Sequence, residues 1–257
     1  MKNTSKKTDP FVYTFAVGKI RALENLLLKD ADFQQLINLD FYEAIKFLSR
    51  NRYYGEKFLR LNSSEEIESF LDEKERDLES LIAKLMIESE VFELLKEFFL
   101  YPQRISEKID LLKYKFLKDY FRHYTDLLNI KRLLSLEDKK EFLEGGFISQ
   151  KIFLKLALKS KEEIAFFFKN TPYVHIVEDG LAYYKKEGTF LYLETLIRNF
   201  LIEFIRPQKY NPFGLEPLFA YYLARINELN LIRFILIGKL LNLEKEFLNK
   251  GLNNTYV

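Results

Sequence analysis

Two Gly-Lys pairs, Gly18-Lys19 and Gly238-Lys239, are the nearest approach in this chain to a phosphate-binding loop. Such a loop needs a second glycine upstream, a Ser or Thr after the lysine and a strand leading in, so that backbone N–H groups can wrap the phosphate. Neither pair has these features, and both lie inside helix-compatible runs. A glycine there more often lets a neighbouring backbone come close, so nucleotide binding is rejected at both. The carboxylates Glu65, Glu66, Glu68, Asp72, Glu73, Glu75, Asp77 and Glu79 offer metal-ligand atoms, but Lys74 and Arg76 interrupt them and an apolar stripe lies opposite. They form a solvated helix face, or else a contact patch for a basic partner.

Asp126 and Asn129 are three residues apart and share a helix face. They suit hydrogen bonds to an adjacent helix terminus or loop better than catalysis. His123, between Arg122 and Tyr124, fits a packed or surface residue better than a ligand. With no cysteine and only His123 and His175, thiolate chemistry, disulfides and a histidine-rich metal centre are excluded. No nucleophile, metal or cofactor constellation can be assembled, so no cofactor is expected. The arginines make a sharper case. Arg21, Arg132 and Arg233 lie in strongly apolar helices, where an unpaired charge is costly. Each is expected to pair with a carboxylate, Glu24 or Glu228 for instance, and hold helices together, or to face a partner.

The elements that must position these residues are helical. Leu, Lys, Glu, Ile and Phe dominate, with nine Gly and six Pro, and no period-2 strand pattern is found. Asp9-Pro10 opens a first helix through Glu24, and a shorter piece covers about Phe41 to Leu48. Ser63 with Glu66 fits a capping box and starts a long helix whose stripe runs Ile67, Phe70, Leu71, Leu78, Leu81, Ile82, Leu85, Phe92, Leu95, Phe99. Tyr101-Pro102 breaks the chain, helices follow from about Ile105 to Leu134, and Gly145-Gly146 marks a tight loop. Helical spacing resumes at Ile148 and Lys161, and a last pair begins near Val174 and Thr189.

No linker is long or Gly/Pro/Ser-rich enough to part independent domains, so residues 1–257 are expected to form one all-α domain. Charge is nearly balanced, 40 basic against 38 acidic residues, which argues against a nucleic-acid partner. The first residues, MKNTSKKTDPF, lack an apolar segment behind their basic patch and suggest a loose tail rather than a secretory signal. With no run of about 20 apolar residues, the protein is expected to face the cytosol and to meet a membrane only through partners.

Residues 211–257 carry the most specific pattern. Asn211-Pro212-Phe213-Gly214 is a double turn signal, and Pro217 suits the first turn of a helix. The helix that follows is apolar on nearly every side but punctuated by Arg225, Glu228, Arg233 and Lys239. This segment resembles the C-terminal signature of the C/AC39-like family, the C-type and d-type subunits of V-type and archaeal-type (V/A-type) rotary ATPases. The matching residues are Pro212-Phe213-Gly214, Glu216-Pro217-Leu218, Ala220-Tyr221, Leu223-Ala224, Glu228-Leu229, Arg233, Ile235-Leu236, Gly238-Lys239-Leu240 and Tyr256-Val257. Leu231 stands where the family tends to have Asn. Tyr13 with Ile20 to Leu27 resembles the family's opening helix, Asp126 to Lys131 its central helix, and Phe142 with Gly145-Gly146 its downstream turn.

The sequences around Arg21, Arg132 and Arg233 align without gaps, each with apolar residues after the arginine. Chance could produce so short a match. The resemblance implies more: three similar lobes with pseudo-threefold symmetry forming a funnel, here with sub-repeats at roughly 10–100, 101–178 and 179–257. It implies a non-catalytic subunit on the cytoplasmic face of the membrane, seated on the proteolipid ring (c/K type) and receiving central shaft subunits of D and F type. Arg21, Asp126, Asn129, Arg132, Glu228 and Arg233 are the candidate interface or inter-lobe residues. A generic helical scaffold for another protein partner is the alternative.

Overall fold

The computed structural model describes residues 10–100, 106–110, 112–135 and 141–257. The expected loose tail at 1–9 and the Tyr101-Pro102 break lie outside them. Among the described residues every regular element is a helix, so the protein is all-α. A 3₁₀ turn, Pro10–Tyr13, leads into α1 (Thr14–Glu24), α2 (Asp30–Asn38) and α3 (Phe41–Ser49). Another, Glu56–Arg60, precedes α4 (Ser64–Leu85), α5 (Ser89–Leu100), α6 (Ser106–Ile109) and α7 (Lys115–Leu134). Then come α8 (Gln150–Ala157), α9 (Lys161–Phe168), α10 (Val174–Glu187) and α11 (Leu191–Ile205). A third 3₁₀ turn, Arg206–Tyr210, is followed by α12 (Glu216–Leu240) and α13 (Lys245–Gly251).

Local chemistry sets many of these ends. Asp40 accepts from Glu43 N at 2.8 Å while the Glu43 carboxylate accepts from Asp40 N, and Ser160 with Glu163 repeats the arrangement for α9. At α4 Ser63 Oγ accepts from Glu66 N, but the Glu66 carboxylate turns to Asn62 N at 2.7 Å instead of completing the box. Gly188 ends α10 in the left-handed region, φ 71°, where a side chain would be strained. Pro217 sits in the first turn of α12 as anticipated.

The long helix expected from Ser63 past Phe92 is two helices. Met86 is extended (φ −82°, ψ 121°), and its N–H closes the α4 ladder on Ile82 O. The apolar stripe stays in phase across the break, Leu85 to Phe92 being two turns, so periodicity could not reveal it. The extended backbone keeps Met86 buried while exposing Ile87.

The chain divides into two compact units. The first holds residues up to 89 with 205–248 and 255–257; the second holds 90–204 and 249–254. In the first, α12 is the central member, lying along α4 and touching α1, α2, α3 and the Arg206–Tyr210 turn. Being enclosed on several sides explains its apolar surface all round: Leu218, Phe219, Ala220, Tyr221, Ile232, Ile235 and Leu236 are all buried. Thr255 and Tyr256 also belong to this unit. Thr255 N donates to Asp30 Oδ1 at 2.8 Å, Arg206 donates to Thr255 O, and Tyr256 is buried. In the second unit α7 packs against α6, α8 and α9, and α9 against α10.

Candidate functional site

Helix α12 turns a charged pair into its own unit. Arg225 and Glu228, one turn apart, form an ion pair with side chains 0% and 3% exposed. Glu228 also accepts from the Tyr54 hydroxyl and, at 2.6 Å, from Leu28 N. Three donors therefore converge on it, from α12, from the segment before the Glu56–Arg60 turn and from the α1–α2 loop. The Arg225 guanidinium lies 3.9 Å from the Tyr53 ring centre and donates to Tyr221 at 3.3 Å, with weaker reach to Leu23 O and Leu26 O at 3.5 Å. Burial pushes the Glu228 carboxyl above its ordinary pKa, against the pull of Arg225, Tyr54 and the Leu28 amide. Burial is the largest influence on Arg225 and would lower its pKa, but Glu228 together with Tyr54, Tyr221 and Tyr53 outweighs it and the guanidinium stays charged.

A second buried polar cluster belongs to α7. Asp126 Oδ1 accepts from Ile148 N at 3.0 Å and Oδ2 accepts from the Tyr173 hydroxyl at 2.8 Å. One turn on, the Asn129 side chain clasps Leu143, donating to its carbonyl and accepting from its N–H. The Asp126/Asn129 face thus fastens residues 143–148 to α7, as their spacing suggested. Gly146 allows this closeness: a Cβ there would stand 2.1 Å from Asp126 Oδ1. His123 Nδ1 lies 2.8 Å from the Tyr173 hydroxyl. Because that hydroxyl gives its proton to Asp126, it must accept from His123, which fixes the neutral ring as the Nδ1–H tautomer. Rings of Phe147, Phe200 and Phe204 surround the imidazole. Burial holds its pKa below the ordinary value, with Asp119 pulling weakly the other way. Burial likewise raises the Asp126 pKa, opposed by its bonds to Ile148 and Tyr173.

The three aligned arginines are placed differently from Arg225. Arg21 donates from Nη1 to both carboxylate oxygens of Glu24 and from Nη2 to the carbonyls of Gln208 and Asn211. Arg132 donates to Glu141 O and approaches its carboxylate at 3.4 Å. Arg233 takes Glu68 at 2.6 Å and Asp72 at 3.0 Å, so part of the acidic run on α4 is engaged within the chain. All three keep 22–28% of their side chains exposed. Among the described residues the fully buried arginine is Arg225, and Glu228 is its partner. Sequence reasoning noted Arg225 as an interruption of the apolar run but did not select it. Its three-residue spacing from Glu228 was the available signal.

The two Gly-Lys pairs have other uses. Lys239 donates to the Ile37 and Leu39 carbonyls at the end of α2, and Gly238 gives room to Leu248, whose Cδ2 would lie 2.5 Å from a Cβ. Leu231 is buried, while Asn230 accepts from Arg233 at 2.7 Å. Among the described residues no group of three or more His, Cys, Asp or Glu is placed to hold a metal ion, and no helix is long and apolar enough to cross a membrane.

These clusters brace helices. Comparison with known proteins agrees with a subunit of a larger machine. No curated protein matches the chain significantly. The ATP synthase (C/AC39) subunit family, however, matches residues 67–251, which include both α7 and α12 and most of the C-terminal signature. The chain belongs to the ATP synthase (C/AC39) subunit family.

Proposed function

We propose that this chain is the central-stalk coupling subunit of a V/A-type rotary ATPase or ATP synthase, peripheral to the membrane and without catalytic activity of its own. It would link the rotor shaft, of D- and F-type subunits, to the proteolipid ring (c/K type), so that torque passes between ATP chemistry and ion movement. The family match over residues 67–251 carries this reading. The buried ion pair of α12 and the α7 clamp support it, since cross-braced, close-packed helices transmit strain rather than absorb it. Three similar lobes around a funnel, at roughly 10–100, 101–178 and 179–257, form part of the same proposal. So does the choice of Arg21, Asp126, Asn129, Arg132, Glu228 and Arg233 as interface or inter-lobe residues, of which Asp126, Asn129 and Glu228 are buried and so not open to a partner.

The deciding experiment removes the subunit from the complex and adds it back. Membrane vesicles from cells lacking it should lose ATP-driven ion uptake while the head retains ATP hydrolysis, and the purified chain should restore uptake. Full ion pumping without the chain would sink the proposal.

A further inference from the structure

Two pairs of large apolar side chains stand in water on the α8–α9 segment. Leu154 is 48% exposed and Leu158 88%, and beyond the short turn Phe166 and Phe167 are 77% and 44% exposed. Each helix already gives its unit a core face, Phe153 and Leu156 from α8 and Ile164 and Phe168 from α9, all of them buried. The outward side chains are therefore surplus to that core. So much apolar surface left in water marks a place that meets something else.

The charges around it indicate what. On α8, Lys151 and Lys155 are exposed beside Leu154 and Leu158, the four falling within about 100° of the helix circumference. Lys169 is exposed just past Phe167. Among the described residues none of these three lysines has a carboxylate partner. The two glutamates of the segment are neutralised in place, Glu162 by Lys185 and Glu163 by Lys159, both at 2.7 Å. Five lysines and two glutamates make residues 149–170 net +3, although the whole chain carries only +2. The segment and both its flanks, 141 to 187, are described without a gap.

A protein partner would set apolar side chains in a seam and meet a cation with a fixed carboxylate. Here lysines alternate with leucines along α8, and a lysine can lay its stem on apolar surface while its ammonium reaches outward. That pattern suits a plane into which apolar side chains sink while the lysines meet many mobile phosphates.

We infer that the α8–α9 segment docks directly on an anionic lipid surface. Leu154, Leu158, Phe166 and Phe167 enter the interface, and Lys151, Lys155 and Lys169 are held by lipid phosphates. The inference rests on the reading of the chain as peripheral to a membrane, and it adds a direct lipid contact where the sequence suggested contact through partners alone.

The test mixes the full purified chain with vesicles of phosphatidylcholine alone, or of equal parts phosphatidylcholine and phosphatidylglycerol. Binding to the anionic vesicles should be at least about tenfold tighter, and high salt should shrink the preference. Lys151→Gln, Lys155→Gln and Lys169→Gln together should remove it. Leu158→Ser with Phe166→Ser should weaken binding at least about tenfold, with an unreduced melting temperature because both side chains are exposed. Phe15→Ser, as exposed but on α1, should bind like the parent. The chain has no tryptophan, so Phe166→Trp places a sole reporter, whose emission should shift to the blue on anionic vesicles and be quenched by brominated acyl chains.

Equal binding to both vesicles, or full binding by the Leu158→Ser, Phe166→Ser variant, would overturn the inference. So would a reporter that stays in water on vesicles but becomes shielded in the solubilised ATPase complex, which would assign the surface to a protein. These assays need no other subunit, so their failure leaves the coupling proposal standing. Intact vesicle binding beside a failed restoration of ion uptake would sink the coupling proposal alone.

Discussion

Arg225 and Glu228 face one another across a single turn of α12 in a space withdrawn from water, with Tyr53 stacked on the guanidinium and Tyr54 bonded to the carboxylate. The pair joins α12 to the α1–α2 loop through Leu28 N. Removing one charge strands the other without solvent.

Glu228→Gln should therefore cost about 3–5 kcal/mol, because Arg225 would lose its counter-charge inside the unit. The double change Arg225→Leu, Glu228→Leu should be milder than either single change. Arg233→Ala should be milder still, about 1 kcal/mol for each exposed ion pair it loses, since water can take over from Glu68 and Asp72. Denaturant unfolding of the three purified variants gives their order. If Arg233→Ala proved the most damaging, the ranking by burial would be wrong.

The second prediction concerns pH. Burial depresses the His123 pKa in the folded protein, while the unfolded chain titrates near an ordinary value of about 6.5. The stability this histidine contributes is thus complete above about pH 6.5 and is lost as pH falls through the folded pKa. In an NMR titration the His123 ring signals should show a midpoint below 6.5. His123→Phe should flatten the corresponding part of the stability–pH curve.

Asp126→Asn offers a sharper check of the same cluster. Its amide oxygen can still accept from Ile148 N, which leaves the NH₂ group facing Tyr173. The Tyr173 hydroxyl must then accept from it and give its own proton to His123. The imidazole should switch from the Nδ1–H to the Nε2–H tautomer, a change read directly in ¹⁵N ring shifts. An unchanged tautomer would mean that the Tyr173 proton does not lie towards Asp126.

Two glycine-to-alanine changes should move stability in opposite directions. Gly146→Ala drives a methyl into Asp126 Oδ1 and should cost about 1–3 kcal/mol. Gly18→Ala, in open space within α1, should stabilise the isolated subunit by up to about 1 kcal/mol. Thermal melts of both variants beside the parent suffice.

The sequence revealed what periodicity and turn chemistry encode. The all-helical class, the start of α12 at Pro217, the Ser63 cap and the loop-binding role of Asp126 and Asn129 were all legible. The break at Met86 was not, because Ile82, Leu85, Phe92 and Leu95 keep one phase on both sides of it. The helix from Asp30 to Asn38 was also missed, although Asp32 accepting from Lys29 N is a recognisable start signal. Among the arginines, local hydrophobicity pointed to Arg21, Arg132 and Arg233, whereas depth depends on how many neighbours enclose a helix. Among the described residues only α12, set among α1 to α4, hides an arginine completely. Tyr53, Tyr54 and Tyr173 complete the two clusters from far along the chain, and no spacing could have announced them.

The first unit begins with α1 and is not filled until α12 arrives, with the whole of residues 90–204 in between. On the ribosome, α1 to α4 are made more than a hundred residues before α12 can cover them, and most of the second unit, all but 249–254, has the earlier opportunity to fold. Synthesis order and structural order run in opposite senses here. Cells making this protein should depend on chaperones that hold the opening helices until α12 emerges.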